Sequence, residues 1–105
     1  MVDKYKVWGQ RLLKTYGITA AQYDELLKKQ EECCAICHRH YTSFQYRLCV
    51  DHDHASKEIR GLLCYYCNRR LVGRHRDAAL LRTIAFYVEQ GTGWFVPKKT
   101  RKKRK

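Results

Sequence analysis

The sequence predicts a small α+β fold, with helices at either end, a short β-hairpin in the middle and a metal-held pair of turns bracketing the hairpin. Three observations predict it. Cys34 and Cys37 form one Cys-x-x-Cys pair, and Cys64 and Cys67 form another. The segments 44–50 and 59–63 between those pairs read as strands. The flanking segments carry apolar residues at helical spacing between recognisable caps.

Residues 3–15 form a basic amphipathic helix, with Tyr5, Trp8, Leu12 and Leu13 on one face and Gly17 as its stop. Thr19 opens a second helix, and Gln22, three residues later, completes a capping box. Tyr23, Leu26, Leu27 and Gln30 continue its inner face to Glu31. The first cysteine pair follows. "FQYRLCV" at 44–50 alternates apolar and polar residues, the period of a half-buried strand. "ASKE" at 55–58 suits a turn, and "IRGLL" at 59–63 suits the returning strand. A short helix runs from Cys64 to Val72 and stops at Gly73. The last helix opens at Asp77 as N-cap, runs through "AALLRTIAFYVEQ" and ends at Gly91. Its apolar residues Leu80, Leu81, Ile84, Ala85, Tyr87 and Val88 are assigned to the core. The chain thus divides into N-terminal helices at 1–32, a metal-bound core with its C-terminal helix at 33–92, and a basic tail at 93–105.

A chain of 105 residues buries only about 60–68% of its unfolded surface, so its core is thin. No apolar secretory segment is visible at the N-terminus, and no window approaches the roughly 18 apolar residues of a membrane span. The expected compartment is a reducing cytoplasm, where disulfides are rare and metal thiolates are not. The two cysteine pairs therefore read as a closed four-sulfur zinc site, which is structural because no coordination position stays open. Such an ion contributes ~10 kcal/mol or more of binding energy coupled to folding. The 26 residues between Cys37 and Cys64 exceed the roughly 15–20 of a plain zinc ribbon, so something sizeable is inserted there. Cys33 adjoins Cys34 and would break the two-residue spacing if it replaced it. Cys49 lies in an apolar run and reads as a small buried hydrophobe.

The formal net charge is +12. The run "KKTRKKRK" at 98–105 holds seven of the basic residues; the rest of the chain has 15 Lys and Arg against 10 Asp and Glu. Such a run repels itself and is expected to be a disordered arm. Both parts favour a polyanionic partner, and nucleic acid suits them better than a membrane because no apolar anchor accompanies the basic run.

The insert carries "DHDH" at 51–54. Asp51 and Asn68, which directly follows the last sulfur ligand, are hard oxygen donors. Two such donors with several open positions suit Mg²⁺, which keeps its waters and binds phosphate oxygens. His52 beside them suits a general base, since an imidazole ordinarily ionises near pH ~6.5. A base, a metal and a positive surface are the parts required to hydrolyse a phosphodiester. A second zinc held by His52 and His54 is the competing reading of the same cluster.

Together, Leu26, Leu27, Gln30, "CAIC" at 34–37, "VDHDH" at 50–54, "RGLLC" at 60–64 and "CN" at 67–68 resemble the phage recombination endonuclease VII family. "YGIT" at 16–19 and "YDELL" at 23–27 add to the likeness, which covers roughly residues 11–90. That family belongs to the ββα-metal (His-Me finger) nucleases, which include the HNH enzymes. The resemblance implies a zinc-stabilised ββα-metal core with flanking helices. It implies zinc on Cys34, Cys37, Cys64 and Cys67, Mg²⁺ or Mn²⁺ on Asp51 and Asn68, His52 as base, and His54 on phosphate or in support. Asp53 is left to orient a histidine. The chain departs from the family pattern at Cys33, at His38, where glycine is common, and at "LVG" (71–73), one residue longer than the usual "LG".

The expected activity is metal-dependent DNA endonuclease, nicking or cleaving duplex or branched DNA, four-way junctions included. The alternative is a non-catalytic zinc-ribbon nucleic-acid binder. Arg60, Arg69 and Arg70 are the expected phosphate contacts, with Arg47 and Lys57 weaker, and Lys98, Lys99 and Arg101 add affinity from the tail. The expected setting is the cytoplasm, that of an infected bacterium if the chain is phage-encoded, as monomer or homodimer.

Overall fold

The computed structural model describes residues 3–93. Trp94 to Lys105 lie outside the described residues, so the expectations placed on the tail, Lys98, Lys99 and Arg101 included, fall outside them too. The chain forms two units, one ending at Arg74 and the other starting at His75.

The first unit opens with α1 (Lys4–Tyr16) and α2 (Ala20–Lys29). The side chain of Asp3 caps α1 by accepting from the N–H groups of Tyr5 and Lys6, and Gly17 ends it in the left-handed region at φ 75°. Thr19 and Gln22 form the predicted capping box, with bonds of 3.1 and 2.8 Å. A 3-10 turn at Tyr41–Ser43 leads to β1 (Cys49–His52), which pairs antiparallel with β2 (Ile59–Leu63).

The predicted strand at 44–50 is corrected to Cys49–His52. β2 is only five residues long, so residues before Cys49 have no partner strand. Leu48 is instead held by α2: the buried Tyr23 hydroxyl donates to its carbonyl at 2.6 Å. Burial pushes the Tyr23 phenol up to about 12. Trp8 packs edge-on against Tyr23, and the Arg47 guanidinium lies 3.9 Å over the Trp8 ring. The aromatic face of α1 and α2 thus anchors the approach to β1. The second helix also ends at Lys29 rather than Glu31, because Glu31 and Glu32 turn into the left-handed region at φ 56° and 63°.

Gln30 joins the helices to the hairpin. Its Oε1 accepts from Leu62 N–H at 2.8 Å, and its Nε2 donates to the carbonyls of Leu62 and Cys33 at 2.9 Å each. One side-chain amide thereby serves the backbone of β2 on the side away from β1. The approach favours glycine next door, since a Cβ on Gly61 would press on Gln30 Oε1 at 3.1 Å. Gln30→Ala strips partners from part-buried backbone groups and is expected to destabilise the unit by roughly 2 kcal/mol, read as a lower midpoint in urea unfolding.

The core gathers between the hairpin and the helices. Leu12, Tyr23, Leu48, Val50, Leu62 and Leu63 are buried, together with Cys34, Cys64 and Cys67. After β2 the chain makes a π-helical turn at Cys67–Val72, where an α-helix was expected. The Gly73 N–H donates to Asn68 O at 2.8 Å, five residues back. A bond across five residues marks a turn wider than that of an α-helix. Gly73 is required by space, because a Cβ there would lie 2.8 Å from the carbonyl oxygens of Asn68 and Arg69.

The second unit holds α3 (Ala78–Gln90), capped by the Asp77 side chain at the N–H groups of Ala79 and Leu80. The apolar face assigned to the core is corrected: Leu80, Leu81, Ile84, Tyr87 and Val88 are exposed. Among the described residues of its unit, α3 has no second element to pack against. No helix among the described residues is long and apolar enough to cross a membrane.

Candidate metal centre and nuclease site

Each ligand cysteine is delivered by a backbone turn. After Cys34 the chain folds back so that His38 N–H donates to Cys34 O, and His38 takes φ 63°. That left-handed conformation is the physical reason glycine suits the position. On the other side, Cys64 directly follows β2 and Cys67 starts the π-helical turn. The sulfurs of Cys34, Cys37, Cys64 and Cys67 lie within 4.8 Å of one another. Cys37 Sγ and Cys64 Sγ are 3.9 Å apart, which fits the ~3.8 Å edge of a tetrahedron with Zn–S near 2.3 Å. The N–H groups of Cys64 and Cys67 point at the sulfurs of Cys34 and Cys64, at 3.3 and 3.4 Å.

The electrostatics favour a cation at the centre. Burial works against a thiolate at Cys34, but N–H groups of Cys64, Cys37 and Ile36 and the Cys37 side chain outweigh it and bring the group down to about 6. At Cys67 burial and the neighbouring Cys64 and Cys34 sulfurs push the thiol far up. Four sulfurs so close cannot all ionise without a positive ion among them. The donor set suits zinc, and it leaves no position for substrate. Cys33 stays outside it, donating its thiol to the Glu31 carbonyl at 3.2 Å.

The DHDH segment ends β1 and enters the turn. Asp51 pairs with Gly61 and His52 with Ile59, so the register shifts between them and Arg60 is the extra residue of a β-bulge. Arg60 grips Asp51 with both arms: Nε donates to Oδ2 at 2.8 Å and Nη2 to Oδ1 at 3.1 Å. This pairing holds the Arg60 guanidinium even more firmly charged than usual. The His52 ring lies 4.9 Å from that of His54 and 5.6 Å from that of Tyr16, between centroids.

Asp53 does not need a histidine to explain it. Its Oδ1 accepts from the N–H groups of Ala55 and Ser56 at 2.8 and 3.0 Å, and its backbone pairs with Glu58 and Lys57. The N–H groups of Ser56 and Ala55 hold its carboxyl below the ordinary range. Asp53 therefore builds the turn. Asp53→Ala is expected to speed amide exchange at Ala55 and Ser56 at neutral pH while leaving exchange at Leu62 unchanged. The same loosening is expected in the native protein when acid protonates Asp53, because a group with a depressed folded pKa stabilises only while ionised.

Asn68 is the second residue of the π-helical turn, its N–H bonded to Cys64 O at 2.9 Å. Cys49 is half-buried beside it rather than fully buried as expected. Burial pushes the Cys49 thiol up, and the Arg69 charge, with a smaller share from the Asn68 side chain, offsets part of this. Cys49 and Asp51 are alternate residues of β1 and share a face, about 7 Å apart. Of the expected phosphate contacts, Arg69 lies over the Tyr65 ring at 5.3 Å and Arg70 is exposed on the same turn. Arg47 is engaged by Trp8, and Lys57 sits in the hairpin turn at φ 68°. Sequence reasoning missed the Arg60–Asp51 pair and the contacts of Cys49 and Tyr16. A strand-turn-strand pattern brings Arg60 near Asp51, but the bulge that aims it has no signature in the sequence.

The Gene 59 proteins of Mycobacterium phages D29 and L5 are 46% and 44% identical to this chain over 70 residues, or 67% of it. The match spans 42% of each relative's own length. No solved structure matches. A family model for recombination endonuclease VII matches residues 9–90, which takes in both cysteine pairs, the hairpin and Asn68; the chain belongs to the recombination endonuclease VII family.

Proposed function

We propose that the protein is a metal-dependent DNA endonuclease of the His-Me finger (HNH-like) kind, with a structural zinc at its centre. Membership of the recombination endonuclease VII family supports a nuclease or DNA-binding role. The observation that carries the catalytic reading is the end of β1. There the Arg60 guanidinium grips the Asp51 carboxylate and reaches the carbonyl of His52, whose ring packs with those of Tyr16 and His54, on a hairpin that runs into the four-cysteine cluster.

In this reading Asp51 and Asn68 hold Mg²⁺ or Mn²⁺ from two sides of the cysteine-tied junction. The Asn68–Cys49 contact supports it, since Cys49 shares a strand face with Asp51. Bound there, the ion offsets the charge that builds on the phosphate and the departing 3′ oxygen. His52 takes the proton from the attacking water, with the rings of His54 and Tyr16 limiting where its imidazole can turn. Arg60, Arg69 and Arg70 contact flanking phosphates. Among the described residues no helix is assigned to base reading in the major groove, so DNA shape or a partner governs where cutting occurs.

One panel tests this. Linear duplex, supercoiled plasmid, single strand and a four-way junction are each incubated with Mg²⁺, Mn²⁺ or EDTA. Cleavage of at least one double-stranded substrate with either ion and none with EDTA is expected. Tight DNA binding with no strand breaks under any ion would establish a zinc-held binder instead.

A further inference from the structure

Arg60 stands where regular strand pairing would not aim it. In an unbroken antiparallel ladder it would oppose His52, with its side chain on the face away from Asp51. The bulge gives Ile59 to His52 as partner, leaves Arg60 extra, and sets its guanidinium on both oxygens of Asp51. A third contact, from Nη2 to the His52 carbonyl, is long at 3.4 Å. Bulges commonly re-aim one side chain in this manner next to functional sites.

We propose that Arg60 is a placeholder cation: it holds the Asp51 carboxylate until a divalent ion takes it, and then turns to a phosphate of the DNA. This rests on Asp51 being a ligand of the catalytic ion. The fork already uses both carboxylate oxygens. A dication on either oxygen stands within a few ångströms of the guanidinium, and like charges so close repel strongly in a partly desolvated site. One of the two cations must withdraw. Asp51 cannot follow the guanidinium outward, because its side chain is 12% exposed, whereas that of Arg60 is 46% exposed on a long stem. A phosphate arriving at the site offers the released fork a two-oxygen acceptor of matching geometry. Metal and DNA then each remove the other's competitor, so they bind cooperatively. In the ligand-free protein the same pairing keeps the Asp51 charge compensated.

The test is a Mn²⁺ titration of the full chain, followed by the electron paramagnetic resonance signal of the free ion. All proteins carry His52→Ala so that DNA stays intact, and zinc content verifies folding. Arg60→Gln is expected to bind Mn²⁺ roughly tenfold more tightly than the parent, within the usual range of site-to-site coupling. Arg60→Lys, which keeps a charge but loses the fork, falls between them. A short duplex, corrected for its own Mn²⁺ uptake, tightens binding to the parent several-fold and to Arg60→Gln much less. Asp51→Asn abolishes the site. If Asp51→Asn loses Mn²⁺ while Arg60→Gln and Arg60→Lys bind it no more tightly than the parent, Asp51 is a ligand and Arg60 a fixed ion pair, and the placeholder is overturned. If Asp51→Asn keeps the parent affinity, Asp51 is not a ligand, and both the site reading and the placeholder fall.

Discussion

Cys34→Ser is expected to abolish the cooperative unfolding transition of the first unit. Three of the nine buried core side chains among the described residues are cysteines of the cluster, Cys34, Cys64 and Cys67. The apolar remainder is too small to fold a unit of this size unaided. A structural zinc contributes ~10–16 kcal/mol of binding energy coupled to folding, as much as the whole stability of an ordinary domain, roughly 5–15 kcal/mol. The loss of one sulfur also leaves three crowded thiols with no cation to offset them. Circular dichroism melts should show no sigmoidal transition for Cys34→Ser, and the same for wild type treated with a strong zinc chelator. Cys33→Ser is the control, since Cys33 lies outside the cluster, and it should melt like wild type with one zinc per chain. A sharp melt in zinc-free protein would show that the apolar core suffices.

His52→Ala is expected to slow plasmid cleavage by roughly 100- to 10,000-fold, the usual contribution of a positioned general base. The His52 side chain packs against the rings of Tyr16 and His54 at the end of β1, and core residues such as Leu62 and Val50 do not depend on it. The melting curve, the DNA affinity without added divalent ion and the Mn²⁺ affinity should therefore stay near wild type. His54→Ala should cost less, because its expected role is to support the site or touch phosphate. If His52→Ala cuts at the wild-type rate while His54→Ala does not, the proton acceptor has been assigned to the wrong imidazole.

The parts of the fold that depend on local chemistry were legible in the sequence. Gly17 and the Thr19–Gln22 box marked the first two helices, Asp77 and Gly91 marked the third, and β2 was bounded correctly at residues 59–63. The cysteine cluster followed from spacing and redox setting alone. The failures came where tertiary contact overrode a local pattern. The alternation at 44–50 is genuine, yet Phe44 to Leu48 form no strand, because the return strand is short and Tyr23 claims the Leu48 carbonyl. The face of α3 has helical periodicity, but periodicity does not say what covers it. The departures from the family pattern carried more than they first showed. His38 falls on a left-handed residue, and "LVG" falls at the end of the widened turn that begins at Cys67. The Arg60 bulge was illegible, since a single inserted residue changes no composition and no period.

The amide of Gln30 has a consequence for how copies of the protein meet. A two-stranded hairpin offers unpaired outer edges, and such edges are templates for strand addition and aggregation between molecules. Gln30 engages the outward N–H and C=O of Leu62, so an incoming chain finds the middle of β2 already taken. With the Ala35 N–H, which also donates to the Leu62 carbonyl at 3.1 Å, that side chain guards this edge against intermolecular sheet growth.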